Sequence, residues 1–286
     1  MQPDVLSVVL RSASFIALFQ AAGMAIFIAM FGRTLQTSLA PMQWVAKVSA
    51  IAAVAFLLGQ YLLEAARMAD DMSGMVDSSL QMMVLHSTSS VVLAVRVLGL
   101  SVISIMLGRQ GDAGIALGVI GAAAVAASFI LTGHTVVNTW RWVLAPLLMI
   151  HVTLGAFWFG ALIPLYLVSR RETPAIAGQV TDAFSRIASW LVPGILAAGL
   201  LLAVILVRHL AEFRLAYGIS LLGKVAGFAA LLGLAALNKW RLAPKIASGD
   251  VRALQAFRRC IGVEYVLIAA VLGITAVMTT FFSPEP

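Results

Sequence analysis

Residues 128–170 read SFILTGHTVVNTWRWVLAPLLMIHVTLGAFWFGALIPLYLVSR. The segment is mostly apolar, yet it contains two of the four histidines, His134 and His151. Pro146 suits the first turn of a helix, where its missing N–H costs no hydrogen bond. The run from Pro146 to Val168 is long enough to cross a bilayer, which takes about 20 residues. The segment therefore predicts a membrane helix that carries an ionisable side chain.

The composition of the whole chain agrees with that prediction. Of 286 residues, 62% are hydrophobic and 11% are charged, whereas soluble domains carry about 25% charged residues. We predict an all-α membrane bundle that forms one domain over residues 1–286. The net charge of +7 is then loop charge that sets membrane orientation, and no nucleic-acid partner is expected. A single cysteine, Cys260, excludes an internal disulfide and a site built from paired cysteines.

Apolar runs divide the chain into eight predicted spans, each near the length that a bilayer requires. The first run is too long for a cleavable signal peptide, and no small-residue cleavage site follows it. The predicted spans are Val5–Phe31, Trp44–Leu63, Val84–Leu107, Ile115–Thr132, Pro146–Val168, Ala188–Val207, Tyr217–Asn238 and Ile261–Phe281.

Basic residues predict the orientation of these spans. Eleven Lys and Arg follow spans 1, 3, 5 and 7, six of them between Lys239 and Arg259, and five lie on the opposite side. The face richer in Lys and Arg is normally cytoplasmic, so both termini are predicted to face outward. His86, His134, His151 and His209 then all fall in the outer half of the bundle. Imidazole is a common ligand of copper, zinc, nickel and haem iron, although each histidine could instead bond a neighbouring backbone or hydroxyl group.

The predicted outer loop between spans 2 and 3 is rich in methionine and aspartate. Residues 67–86 read RMADDMSGMVDSSLQMMVLH. Met68, Met72 and Met75 have helical spacing and would share one face. Thioether sulfur is a soft ligand that favours Cu(I), and the nearby carboxylates attract cations. The alternative is an amphipathic helix on the membrane surface, with methionine as its apolar face. The candidate metal ligands are His86, His134, His151, Met72, Met75, Met82 and Met83.

Charged residues inside the predicted spans need partners because charge is costly in hydrocarbon. Arg96, Lys224 and Glu264 are of this kind, and Glu64 ends span 2. Arg96 with Glu264, or Lys224 with Glu64, would form ion pairs. A structural ion pair and a transport role both remain open for these residues. The basic segment Lys239–Arg259 is expected to contact anionic lipid headgroups.

The chain resembles the CopD/PcoD copper resistance D proteins of bacterial inner membranes, most clearly over residues 184–286. Ile219 departs from the pattern, because the family usually has a basic residue there. The matching residues are Phe184-Ser185-Arg186, Tyr217-Gly218, Leu222, Lys224, Asn238, Leu242, Pro244, Arg258-Arg259, Glu264 and Pro284, with Gly133-His134, His151 and Trp158 to Leu162 upstream.

The resemblance implies an eight-helix, multi-pass protein of the bacterial inner membrane, in which the outward-facing termini predicted from the loop charges would be periplasmic. It also implies a periplasmic copper partner, often a carrier of the CopC type, and copper movement toward the cytoplasm. We expect a copper-binding or copper-transporting protein rather than an enzyme, and the chain has no G-x-x-x-x-G-K-[ST] motif for ATP. The alternatives are a haem-b membrane oxidoreductase with histidine axial ligands and a scaffold for a copper enzyme.

Overall fold

The computed structural model describes residues 3–107, 111–132, 138–206, 216–247 and 250–281, and it is all-α over these ranges. Within these ranges, eight helices are long and apolar enough to cross a membrane, which confirms the predicted number of spans. The helices are α1 (Pro3–Phe31), α2 (Leu39–Met68), α3 (Ser78–Leu85), α4 (Thr88–Met106), α5 (Asp112–Ala127), α6 (Arg141–Arg171), α7 (Pro174–Leu206), α8 (Ala216–Leu237), α9 (Ala243–Ala247) and α10 (Val251–Phe281). Among the described helices, α3 and α9 are too short to span, whereas α5 reaches spanning length together with the 3-10 turn that follows it, as Asp112–Leu131.

Helix α1 is the centre of the bundle. Its side chains Leu18, Met24 and Phe27 are fully buried. Helices α2, α5, α6 and α10 pack directly on α1, whereas α4 lies on α2 and α5, α7 on α6, and α8 on α10. Helix α1 is therefore shielded from lipid, whereas α7 and α8 lie at the periphery of the bundle.

Glycines allow α1 and α6 to cross closely. A Cβ added to Gly160 would lie 2.5 Å from the Cα of Gly23, so neither position has room for a side chain. Next to this crossing, the Gln20 amide donates to the Gly160 carbonyl at 3.3 Å. Small residues at a crossing let two backbones approach in a membrane, where packing rather than water exclusion holds helices together.

The two ends of the chain meet at one face of the bundle. Arg67, which is near the end of α2, pairs with Asp4 at 2.7 Å, and Arg11 donates to the carbonyl of Thr279 at 2.6 Å. We call this side, with Asp4, Arg67 and Thr279, the terminal face. The opposite side, with Arg33, Arg170 and Arg258, is the basic face. The prediction that the terminal face is periplasmic rests on the loop charges alone.

A carboxylate clamps two loops together on the basic face. Glu172 follows α6, and its Oε1 accepts hydrogen bonds from the backbone N–H groups of Gln36, Thr37 and Ser38 at 2.8–3.1 Å and from the Ser38 hydroxyl at 2.5 Å. Partial burial of Glu172 acts to raise its pKa, but these hydrogen bonds together have a larger, opposite effect. The pKa of Glu172 therefore lies below its ordinary value. The clamp holds the N-terminus of α2 to the end of α6.

Several helix ends differ from the sequence prediction. Helix α6 begins at Arg141, so the prediction that Pro146 begins this helix is wrong. The carbonyl of Trp140 accepts from Val143 and Leu144 at 2.9 Å, and the Asn138 side chain accepts from the N–H of Trp140 at 2.8 Å. These bonds start the helix before the proline. Helices α7 and α10 also begin 14 and 10 residues earlier than predicted, because polar helical turns extend each apolar segment on the basic face.

Candidate functional site

The described histidine with the most defined surroundings is His151, in α6. Its Nδ1 lies 3.2 Å from the carbonyl oxygen of Ile195 in α7. Gly199 is one turn further along α7, and a Cβ there would lie 3.0 Å from Cε1 of the imidazole ring. The absence of a side chain at Gly199 therefore makes room for the ring between α6 and α7.

The carbonyl of Ile195 fixes the protonation pattern of this imidazole. A carbonyl oxygen can only accept, so Nδ1 carries the proton and donates it. The lone pair of Nε2 is then available to a metal ion, and hydrogen bonding of the other ring nitrogen is typical of histidine ligands. His151 is ten residues from the start of α6, which is about 15 Å along the helix. The group is thus a potential ligand inside the membrane, on the terminal-face half.

One cation lies near this histidine. Lys224 in α8 is close enough to act electrostatically on His151. Neither of the two ion pairs found among the described residues includes Lys224, so the predicted pair with Glu64 is not formed. Glu64 instead accepts from the Ser89 hydroxyl at 2.6 Å. A positive charge near the ring opposes tight cation binding, which suits a site that must release its ion.

A cavity of about 480 Å³ lies between the start of α6 and the end of α7, and it is lined by Asn138, Trp140, Val143 and Ile205. Val143 is eight residues, or about 12 Å, before His151 on the same helix. The cavity is therefore on the terminal-face side of the histidine, between the same two helices that hold the ring.

Of the other predicted histidines, His86 alone lies within the described residues. His86 ends α3 at the terminal face and is exposed. His134 and His209 lie outside the described residues, so the predicted approach of His134 to His151 stays a prediction. Its premise, that Pro146 begins α6, is wrong. Among the described residues, no group of three or more His, Cys, Asp or Glu side chains is arranged to hold one metal ion.

The methionine-rich segment is folded differently from the prediction. Helix α2 ends at Met68, and Met72 and Met75 lie in a separate 3-10 helix, Met72–Val76. The prediction that these three share one helical face is therefore wrong. Met68 and Met72 are 50% and 39% exposed, and Met82 and Met83 in α3 are 54% and 57% exposed. The sulfur atoms thus stand largely outside the bundle at the terminal face.

Aspartates accompany these methionines as structural caps. Asp77 accepts from the hydroxyl and N–H of Ser79 at 2.6 and 2.8 Å and from the N–H of Leu80 at 3.2 Å. These bonds start α3 and hold the pKa of Asp77 below its ordinary value. A hydroxyl bond from Ser73 and backbone N–H bonds likewise lower the pKa of Asp71. Both carboxylates are therefore ionised near neutral pH and give the segment negative charge.

The buried arginine has a hydroxyl and an aromatic ring as its partners. The Nε of Arg96 donates to the Ser128 hydroxyl at 3.0 Å, and its guanidinium lies 4.7 Å from the centroid of the Phe129 ring. The predicted pair of Arg96 with Glu264 is not formed. Ser128 has no feature in the sequence that would have identified it as the partner.

Glu264 lies in a second polar cluster, near the middle of α10. Its Oε1 accepts from the Asn238 amide at 2.7 Å, and Trp158 of α6 lies near the same carboxyl group. Trp158 also packs edge-on against Phe228 of α8, with centroids 6.1 Å apart. The cluster therefore joins α6, α8 and α10 in the interior.

Comparison with known proteins gives one match. Residues 178–278 match the family described as copper resistance protein D, CopD. This region holds α8, most of α7 and α10, and the polar residues Lys224, Asn238 and Glu264. No curated protein and no solved structure matches the chain. The predicted resemblance to that family is confirmed over this part of the chain.

Proposed function

We propose that this chain, whose residues 178–278 match the copper resistance protein D family, accepts copper at the terminal face and moves it toward the basic face. In this proposal the terminal face is periplasmic and the membrane is the bacterial inner membrane. The protein is a carrier of copper and not an enzyme.

The observation that supports the proposal best is the geometry of His151. Its Nδ1 is engaged by the Ile195 carbonyl, so Nε2 is available as a ligand inside the membrane. Copper in either oxidation state accepts imidazole nitrogen. The cavity lined by Asn138, Trp140, Val143 and Ile205 is on the side from which the ion would arrive. Lys224 weakens binding enough for the ion to leave.

The exposed methionines supply an entry surface in this proposal. Met72, Met75, Met82 and Met83 offer soft sulfur ligands at the terminal face, and ionised Asp71 and Asp77 attract the cation. His86 ends the same segment and takes the ion next. A periplasmic copper carrier of the CopC type would deliver copper to this surface, and His134 would join His151 deeper in the bundle.

Copper titration of the purified protein, followed by uptake into vesicles, tests this function. Parent protein should bind copper and carry it across the membrane. The variant His151→Ala should lose uptake, while Thr153→Ala on the same helix should keep it. Parent protein that binds no copper would contradict the proposal. An optical spectrum with a Soret band would favour the haem oxidoreductase instead.

A further inference from the structure

Glu264 is a carboxyl group inside the membrane without a basic partner among the described residues. It is 4% exposed and takes part in neither of the two ion pairs found there. An ionised carboxylate in hydrocarbon is costly unless it is paired or neutralised. The Asn238 amide stabilises the charge but does not cancel it, and the neighbouring Trp158 is neutral. A proton or a bound cation would complete the site.

The side chain of Asn238 is only half satisfied. Its Nδ2 donates to Glu264, whereas its Oδ1 is buried and has no hydrogen-bond partner. Buried polar atoms nearly always find a partner, so an unpaired acceptor beside a carboxyl group calls for an explanation. A protonated carboxyl group has an O–H that must donate a hydrogen bond, and Oδ1 of Asn238 is an acceptor that could receive it.

The backbone at Asn238 is also unusual. Residues Asn238–Leu242 form a π-helix between α8 and α9, and the N–H of Ala243 bonds the carbonyl of Asn238. This wide turn is rare and is often found at functional sites. Asn238 is the first residue of this turn and lies opposite the middle of α10, where its amide reaches Glu264.

We propose that Glu264 and Asn238 form a reversible proton-binding site inside the membrane. When the carboxylate is ionised, it accepts from Nδ2 of Asn238 as observed. When a proton binds, a half-turn of the amide presents Oδ1, which accepts from the new O–H. One proton is taken up and one O–H bond forms, and no other bond is made or broken. The amide therefore satisfies both states of the carboxyl group.

Charged and titratable groups on the surrounding helices leave this site uncompensated. Lys239 follows Asn238 but donates to the Ser189 hydroxyl at 2.8 Å, and Arg258 of α10 donates to Ser169 of α6. Tyr265 stacks on Phe159, with centroids 4.5 Å apart. The Cys260 thiol, one turn before Glu264, is within electrostatic reach of it and adds no positive charge. The proton is thus the simplest ion that neutralises the site.

If the protein transports copper as proposed above, the proton-binding site of Glu264 and Asn238 would also have a role in that transport. The chain has no G-x-x-x-x-G-K-[ST] motif for ATP, so copper movement would be passive or coupled to an existing gradient. Protonation of Glu264 would couple copper movement to the proton gradient. His151 lies on the terminal-face half of α6 and Trp158 two turns further toward the basic face, so copper and proton sites occupy successive depths of one bundle.

Infrared difference spectroscopy of the full protein in lipid vesicles tests proton binding without copper. Acidification of the parent protein should produce a carboxylic C=O band that Glu264→Gln lacks. Asn238→Leu, which removes the amide partner, should keep the band but shift its frequency. The control Glu64→Gln, a carboxyl group held by Ser89 at the terminal face, should keep the band unshifted. Identical spectra for parent and Glu264→Gln would overturn the proposal.

Copper uptake under an imposed pH gradient tests the coupling. The parent rate should change several-fold with the gradient, and the Glu264→Gln rate should not respond to it. A parent rate that ignores the gradient would overturn the coupling. His151→Ala should lose uptake yet keep the infrared band. If the parent protein moved no copper but showed the band, the transport function would fail while the proton site stood.

Discussion

The imidazole Nδ1 of His151 faces the carbonyl oxygen of Ile195 at 3.2 Å, so the side chain is oriented by backbone atoms of the neighbouring helix. A backbone carbonyl cannot be removed by substitution, which makes this orientation robust. The ring position depends instead on Gly199, whose missing side chain leaves the ring its space. This relationship leads to the first prediction.

We expect Gly199→Ala to weaken copper binding several-fold without unfolding the protein. The added Cβ would lie 3.0 Å from Cε1 and 3.3 Å from Nδ1 of His151, so the ring must shift by a few tenths of an ångström. Copper titration of the purified variants measures the effect. Gly178→Ala, on the same helix, is the matched control, since nothing lies within 4 Å of its new Cβ. Equal affinities for both variants would argue against His151 as a ligand.

The orientation prediction can be checked by cysteine labelling. In a Cys260→Ser background, Arg252→Cys at the exposed start of α10 should resist a membrane-impermeant thiol reagent in intact cells. Val76→Cys, at a position 87% exposed on the terminal face, should react. The reason is the excess of Lys and Arg on the basic face, which favours the cytoplasmic side. The reverse labelling pattern would show that the predicted membrane orientation is inverted and that His151 lies in the cytoplasmic half of the bundle.

The spans were predictable from the sequence because a run of about 20 apolar residues has essentially one stable arrangement in a bilayer. The ends of the helices could not be predicted in the same way. Hydropathy identifies only the part of a helix that lies in hydrocarbon, whereas helices such as α10 continue beyond the membrane into polar surroundings. Pro146 misled the prediction because Asn138 and Trp140 start α6 earlier.

The candidate site was predictable only in part. His151 and Glu264 stood out as ionisable residues in apolar sequence. Their partners did not, because a backbone carbonyl, a glycine and an amide have no distinctive sequence signal. Ser128 was missed as the partner of Arg96 for the same reason. Tertiary packing, and not local pattern, selects such partners. The spacing of Met68, Met72 and Met75 predicted one shared helical face, and this was wrong because α2 ends at Met68 and a 3-10 helix follows.

The Glu172 clamp should stabilise the folded protein. Glu172→Ala removes the acceptor of four hydrogen bonds, and bonds to a charged group contribute about 1.5–3 kcal/mol each at most. Because Glu172 is partly exposed, we expect a loss of about 1–3 kcal/mol in total. Thermal unfolding in detergent measures it. Thr173→Ala, at the next position, serves as the control.

This contribution should also depend on pH in a defined direction. The folded-state pKa of Glu172 is depressed below the ordinary value of 4.5. Its stabilisation is therefore fully present above that value and is lost as the pH falls through the lower folded-state pKa. The stability difference between the parent protein and Glu172→Ala should shrink on acidification below pH 4.5. A difference that grows under acid conditions would contradict the assignment.

The methionines of the terminal face should matter for copper capture only when copper is scarce. Met68, Met72, Met75, Met82 and Met83 can all be changed to leucine, which keeps the volume and the apolar character but removes the sulfur. Because an entry site must release its ion, it binds weakly, and a high copper concentration bypasses it. We therefore expect the five-fold variant to accumulate less copper at limiting concentration and to match the parent at high concentration. His151→Ala should fail at both concentrations.

An exposed methionine outside the terminal face provides the matched control for this experiment. Met30 is 50% exposed but lies at the far end of α1, near the basic face, so Met30→Leu should leave accumulation unchanged at every concentration. If the segment is instead an amphipathic element on the membrane surface, the five-fold variant should accumulate as much copper as the parent, because leucine contacts lipid as well as methionine does. If the five-fold variant behaves like the parent at limiting copper, the segment is an apolar surface, and copper reaches His151 without sulfur ligands at the entrance.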